Sequence, residues 1–267
     1  MIYFAATPIG NLKDITLRVL ETLKEADAVF CEDTRHTLKL LSAYDIKKPL
    51  YACHKFNESE AAEKIIALSR EGKTVVIVSD AGMPVISDPG AVVAKKLNEA
   101  GEKFTVLPGA CAFVSALALS AFPSDKFTFL GFLPDKAGER KRLLERYKEV
   151  RETLIFHAAP QDVDAYIKVM YEVFGSRPAC AVREITKIHE EVITFDLKDG
   201  FAGEKRGEFV LLVGGAEEKE NPLNALSVRE HLQKYLSEGM DKKEAIKRVS
   251  RDRGVPKNEV YQEAIDL

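Results

Sequence analysis

The chain has 267 residues, 46% of them hydrophobic, so it can bury the core of one large domain or two modest ones, and wholesale disorder is excluded. Its 39 basic and 42 acidic residues leave a net charge of -3, which excludes a globally basic nucleic-acid binder and confines any basic surface to local clusters. Cys31, Cys53, Cys111 and Cys180 lie far apart without CxxC spacing, which argues against a zinc site or a disulfide framework and points to a reducing, cytoplasmic setting.

The opening MIYFAATPIG has no positive start and no long apolar region before a small-residue cleavage site, so no signal peptide is expected. Short apolar runs then alternate with helical patterns: IYFAA (2–6), AVFCE (28–32), PLYAC (49–53), TVVIVS (74–79) and KFTVL (103–107). That alternation predicts a parallel, helix-covered sheet. Asn57 followed by Glu60 reads as a capping box, with Ala61, Ile65 and Leu68 as the apolar stripe and Gly72 as the stop. The run LPGACAFVSALALSAF (107–122) is too short to span a bilayer and predicts a buried helix.

The pattern changes near Phe122-Pro-Ser-Asp. FTFLGF (127–132), TLIFHA (153–158), ACAVRE (179–184), EVITFD (191–196) and EFVLLVG (208–214) follow, and their close late spacing predicts a mixed sheet. The expected organisation is an α/β domain at 1–122, a second at 123–216, a polar linker EEKENPLN (217–224) and a helical module at 225–267. In that module a turn at Gly254-Val255 before Pro256 gives a helix-turn-helix-like pattern. No internal repeat is present.

Loops at strand ends carry the chemistry. ATPIGNLKDIT (6–16), EDTRHT (32–37), SDAG (79–82) and LPGACA (107–112) each follow a strand, and in an open α/β sheet the ligand crevice lies beyond the strands' carboxyl ends. The bland reading of the first loop is turn and cap chemistry at Asn11 and Asp14. Glu32, Asp33, Arg35 and His36 crowd the second, where polar side chains have to find partners. In VSDAGMPVISDPG (78–90), two Asp-Gly-Pro turns stand a few residues apart. No GxGxxG or Walker lysine motif occurs, which removes the main sequence support for a dinucleotide dehydrogenase, a nucleotide hydrolase and the commoner Rossmann-type methyltransferase. REITKIHEE (183–191) joins two predicted strands and reads either as a solvated hairpin or as a polar set turned toward the first domain. Lys136–Arg151 holds seven bases against three acids, net +4, and Lys242–Lys257 seven against two, net +5. Such runs are either solvated faces or contacts for a phosphate backbone.

Together ATPIGNLKDITLR, EDTRHT, VSDAGMPVISDPG, LPGACA, FLGFLP (129–134), REITKIHEE and KKEAIKRVSRDRGVPKNEVY resemble, nearly end to end, the ribosomal RNA small subunit methyltransferase I family. The resemblance implies two α/β domains of the tetrapyrrole-methylase type with an S-adenosylmethionine cleft between them. It also implies 2'-O-methylation of a cytidine ribose in small-subunit ribosomal RNA, on the free RNA or the 30S subunit, by a homodimer. Cofactor contacts are then expected from Pro8 and Gly10, from Asp80, Ala81, Gly82, Met83 and Pro84, from Pro108, Gly109, Ala110 and Cys111, and from Phe132 and Leu133, with SDPG closing its loop. The family usually has Thr at Met83 and Pro-Ser or a similar pair at Ala110-Cys111.

Methyl transfer is an in-line displacement, so alignment of the attacking oxygen is the protein's main task, helped by a group that accepts its proton. Glu32, Arg35, His36, Glu184 and Lys187 are the catalytic candidates, EDTRHT and REITKIHEE being expected to face each other across the cleft. Arg140, Lys141, Arg142, Lys247, Arg248 and Arg251 are the expected RNA contacts. No metal is implied. A tetrapyrrole methyltransferase of the same superfamily is disfavoured by the basic runs and helical tail, and a non-catalytic RNA-binding assembly factor by the full polar sets of the crevice loops.

Overall fold

The computed structural model describes residues 1–217, 221–265 and 267. It divides into two compact units, Met1–Ala216 and Glu217–Leu267. In the first unit the elements run β1 (Ile2–Ala5), α1 (Leu17–Glu25), β2 (Ala28–Cys31), α2 (Thr34–Ala43), β3 (Leu50–Ala52), α3 (Glu58–Arg70), β4 (Val75–Val78), α4 (Ala91–Glu99), β5 (Phe104–Leu107) and α5 (Ala112–Ser120). The five strands form a parallel sheet of order β3-β2-β4-β1-β5. β4, Val-Val-Ile-Val, is buried along its length, as expected of a β-branched strand covered by helices on both faces. Because all five strands point the same way, the loops after β1, β2, β4 and β5 gather at one edge.

The chain continues with β6 (Phe127–Phe132), α6 (Ala137–Glu145), β7 (Thr153–Ala158), α7 (Val163–Phe174), β8 (Pro178–Arg183), β9 (Glu191–Asp196) and β10 (Phe209–Val213). This second sheet, β6-β7-β10-β8-β9, is mixed: only β6 and β7 pair parallel. One apolar cluster joins the halves: Ile9, Ala116 and Leu117 pack with Ile155, Cys180, Val182, Ile185, Val210 and Leu212. So one face of α5, through Ala116 and Leu117, is covered by the second sheet, while Val114 and Leu119, 49% and 42% exposed, lie on the open face: the helix is half-buried rather than buried as its apolar run predicts. Truncating Leu212, 0% exposed, to Ala would cost roughly 2–5 kcal/mol.

The expected capping box of α3 does not form. Asn57 turns its side chain backward instead, its Oδ1 accepting from the His54 N–H at 2.7 Å and its Nδ2 donating to the Ala52 carbonyl at 3.0 Å. The end of β3 thus claims the side chain that the helix would have used.

The second unit packs α8 (Val228–Ser237), α9 (Lys242–Arg253) and α10 (Lys257–Ala264) around Leu232, Tyr235, Ala245, Ile246, Val249, Val260 and Ala264. Ser227 and Glu230 form a reciprocal capping box on α8, and Gly254, at φ 65°, ends α9 in the left-handed region. Asp252 is the unit's polar hub. It accepts from the Tyr235 hydroxyl at 2.5 Å and from Asn221 Nδ2 at 2.8 Å, and Arg248 Nε lies 3.5 Å from its other oxygen.

Candidate functional site

The strand-end loops of the first sheet are sewn to one another. Thr7 and Gly82 exchange backbone hydrogen bonds of 2.9 and 3.1 Å, and the buried Thr7 hydroxyl donates to the Ser79 carbonyl at 3.2 Å. Asp80 Oδ1 accepts the Asp33 N–H at 3.0 Å, tying the loop after β4 to the loop after β2. Asp33 in turn holds Arg35 by two side-chain bonds, at 3.1 and 2.7 Å, and its carboxyl lies well below its ordinary range because of them.

Residues 85–90 are conformationally strained. Val85 at φ 78° and Ser87 at φ 64° occupy the left-handed region, which is costly for a β-branched residue. The buried Glu58 carboxylate fixes this segment by accepting the Gly90 and Val92 N–H groups at 2.9 and 3.0 Å. Opposite lies a bulge of β6 between Phe129 and Phe132, where Gly131 has φ 63° and a Cβ would stand 3.1 Å from Ser87 Oγ. The FLGF sequence therefore needs its glycine, and the bulge leaves the Phe132 ring 58% exposed.

Between these elements lies a cleft of about 340 Å³, lined from the first sheet by Ile9, Gly82, Met83, Asp88, Cys111 and Phe113, and from the second by Phe132, His157, Pro160, Ile185, Glu208 and Val210. Apolar walls with a few polar groups are what a small-molecule site requires. Asp88 is pushed up to about 6 by burial and by the nearby charges of Glu32 and Asp80, against a hydrogen bond from Ser79. Glu32 is raised as well, by burial and then by Asp80, with His54 opposing. Burial lowers His157, whose ring meets Phe129 edge to face and lies tilted against Phe132, although Glu208 pulls the other way.

The 184–190 loop is built on the opposite principle. Lys187 Nζ donates to Glu184 Oε1 at 2.8 Å and to Glu208 Oε2 at 2.9 Å, and Glu184 Oε1 also accepts the Glu208 N–H at 2.9 Å. Burial raises Glu184, but these bonds outweigh it and hold the carboxyl below its ordinary value. Glu184 at φ 51° and Thr186 at φ 67° are strained in turn. A Cβ on Gly10 would stand 2.6 Å from Lys187 Cγ, so this loop packs on the one after β1.

The expected site residues therefore fall into groups. Ala81, Gly82, Met83, Cys111 and Phe132 line the cleft. Pro8, Gly10, Asp80, Pro84, Pro108, Gly109, Ala110 and Leu133 belong to the loops that shape it without lining it, and so do Glu32, Glu184 and Lys187, while Arg35 and His36 stand on the first turn of α2, also outside the lining. EDTRHT is bonded to the Asp80 loop and REITKIHEE packs against Gly10, so the contacts of the two polar sets run to different neighbours. Asp88, His157 and Glu208 line the cleft and were missed. For Asp88 the signal was the second acidic turn, read as loop closure; the other two sit in strand runs whose apolar pattern conceals them. In the basic runs, Arg140 is tied to the Pro134 and Asp135 carbonyls at 2.6 and 2.8 Å and Arg142 to the Gly138 carbonyl at 3.2 Å, whereas Lys141, Lys247 and Arg251 are exposed. Among the described residues no group of three or more His, Cys, Asp and Glu could hold a metal ion.

Two α/β sheets flanking a strand-end cleft define a tetrapyrrole methylase, and the model of the Tetrapyrrole (Corrin/Porphyrin) Methylases family matches residues 1–199, so the chain belongs to that family. Its fold is similar to the structure of uroporphyrin-III C-methyltransferase from Thermus thermophilus complexed with S-adenosyl homocysteine, with a TM-score of 0.57 and 20% identity over 80% of this chain and 96% of that one. Within the superfamily the chain belongs with ribosomal RNA small subunit methyltransferase I. The protein of that name from Bacillus subtilis is 42% identical over 270 residues, covering 98% of this chain and 92% of the relative. The one from Thermotoga maritima is 41% identical, but 96% of its length covers 79% of this chain, so the family includes chains about a fifth shorter.

The donor set suits S-adenosylmethionine, which methyltransferases of this family use. Apolar walls at Ile9, Met83, Phe113, Phe132 and Val210 match a nucleoside and a thioether chain, and the carboxylate of Glu208 matches positive charge.

Proposed function

We propose that the chain is an S-adenosylmethionine-dependent methyltransferase that methylates the 2'-hydroxyl of a cytidine ribose in small-subunit ribosomal RNA. The observation that carries the reading is the apolar-walled cleft between the two sheets, in a chain related over nearly its whole length to ribosomal RNA small subunit methyltransferase I. Gly82, Met83, Cys111, Phe113, Phe132 and Val210 would hold the cofactor, which supplies an electrophilic methyl carbon. Asp80 braces that wall through the Asp33 N–H. Asp88 is the group poised to take the hydroxyl proton on a carboxylate oxygen, since a base titrating near 6 is mostly ionised at neutral pH yet more basic than a free carboxylate. Lys187, fixed between Glu184 and Glu208, positions the second sheet's side of the cleft.

The reading includes a homodimer and action in the cytoplasm. Free thiols at all four cysteines support a reducing setting. The function is tested by incubating the protein with small ribosomal subunits from a strain lacking it and with isotopically labelled S-adenosylmethionine, then digesting the RNA to nucleosides. Label is expected in 2'-O-methylcytidine; label on a base, or none in RNA, would reject the reading.

A further inference from the structure

The second unit carries a groove that the cleft chemistry does not use. Lys242, Lys243, Ile246 and Lys247 of α9 face Lys257, Asn258 and Tyr261 of α10 across about 550 Å³. Lys243 and Lys247 are one helical turn apart and share a face with Ile246, while Asn258 and Tyr261, three apart, share the opposite wall. The Tyr261 ring is 59% exposed, and among the described residues no carboxylate lines the groove. Among the described residues no ion pair engages Lys243, Lys247 or Lys257.

The neighbouring basic side chains are occupied otherwise. Arg248 reaches the Asp252 hub, and Arg253 donates to His231 Nδ1 at 3.2 Å and to the Leu223 and Leu226 carbonyls. The basic run of this tail therefore sorts itself into Arg248 and Arg253, which hold the unit together, the exposed Arg251, and lysines presented with an aromatic ring, of which Lys242 also reaches the Ile265 carbonyl at 3.5 Å. Four ammonium groups around an open ring and one amide match alternating phosphates and an unpaired base: the lysines meet the backbone, and the ring offers a sequence-tolerant stacking platform.

We propose that this groove is a docking site for a single-stranded segment of RNA, with Lys242, Lys243, Lys247 and Lys257 on phosphates and Tyr261 under a base. The inference rests on the reading of RNA as the substrate and gives the tail a share in holding it.

The test uses the full chain and a short fluorescent single-stranded RNA of mixed sequence, titrated over a series of potassium chloride concentrations. Replacing Lys243, Lys247 and Lys257 together with Gln should flatten the log-log salt slope by roughly 2, about 0.7 for each lost single-strand contact. Tyr261→Ala should weaken binding roughly tenfold with the slope unchanged, and Tyr261→Phe should restore it. The same RNA annealed to its complement should lose the Tyr261 effect. The four side chains are exposed, so the thermal midpoint and the cofactor affinity should not move, and both are measured on every variant. Wild-type affinity and slope in the folded triple variant and in Tyr261→Ala would overturn the proposal, as would lost self-association with RNA binding intact, which would mark a protein contact. If the wild-type protein transfers no methyl group to small-subunit RNA, the functional reading fails, but the salt slope and the Tyr261 pair still decide the groove.

Discussion

The segment after β4 and the loop between β8 and β9 both border the cleft and both hold non-glycine residues at positive φ, yet they treat charge in opposite ways. Around Asp88 the chain collects like charges: Glu32 and Asp80 lie close enough to raise it, and no cation is among the groups that shift it. Around Lys187 the chain pairs opposite charges, Glu184 and Glu208 raising it against the lowering effect of burial. The first arrangement leaves a carboxylate with a basicity suited to proton transfer, and the second gives a rigid, electrically satisfied brace.

The contrast is broken most severely at Asp88. Asp88→Asn keeps the shape and removes the proton acceptor, so kcat for methyl transfer should fall by roughly 10²–10⁴-fold, the usual worth of a general base, while cofactor affinity measured by calorimetry changes little. The same change should stabilise the fold at pH 8. A carboxyl raised in the native state contributes stability below its unfolded value near 4 and loses it as pH rises through about 6. An uncharged amide avoids that loss, which is about 1.4 kcal/mol for each tenfold by which folding strengthens the carboxyl's hold on its proton.

Glu58→Ala acts on the same segment through its support. The Gly90 and Val92 N–H groups would lose their acceptor at a buried position, and roughly 1–3 kcal/mol of stability should disappear in denaturant titrations. Lys187→Met sharpens the other side with the smallest effect, about 1 kcal/mol or less because both partners are partly exposed. The wild-type pair should fade as pH falls below the ordinary glutamate value, since Glu184 is held low in the folded chain. The variant should lack that part of the acid dependence.

Both sheets were legible in the sequence because each strand is a short run of β-branched and aromatic residues between turn signals, from IYFA at β1 to FVLLV at β10. The loops at the strand ends were legible too, since a parallel sheet brings them to one edge whatever their contents. The partners inside them were not. Glu58 reaches Gly90 across 32 positions and Lys187 finds Glu208 at 21, both choices made by tertiary packing, and even the local Asp33–Arg35 pair follows from where α2 starts. The cleft role of Asp88 escaped because a β4-loop carboxylate reads as a turn residue until Glu32 arrives beside it from the end of β2. In the tail, the density of basic charge was visible, but the division between arginines bound to Asp252 and to loop carbonyls and lysines left in the groove depends on how α9 and α10 pack.

The division of labour between the two loops is tested most directly by the pH dependence of single-turnover methyl transfer to small ribosomal subunits, measured on the wild-type protein and on Asp88→Asn. The wild-type rate should climb tenfold per pH unit below about 6 and level off above it, and the variant's profile should be low and flat over the same range. A rising limb that survives unchanged in Asp88→Asn, at wild-type rates, would show that the proton leaves by another route and that the carboxylates gathered beside the cleft are not there to receive it.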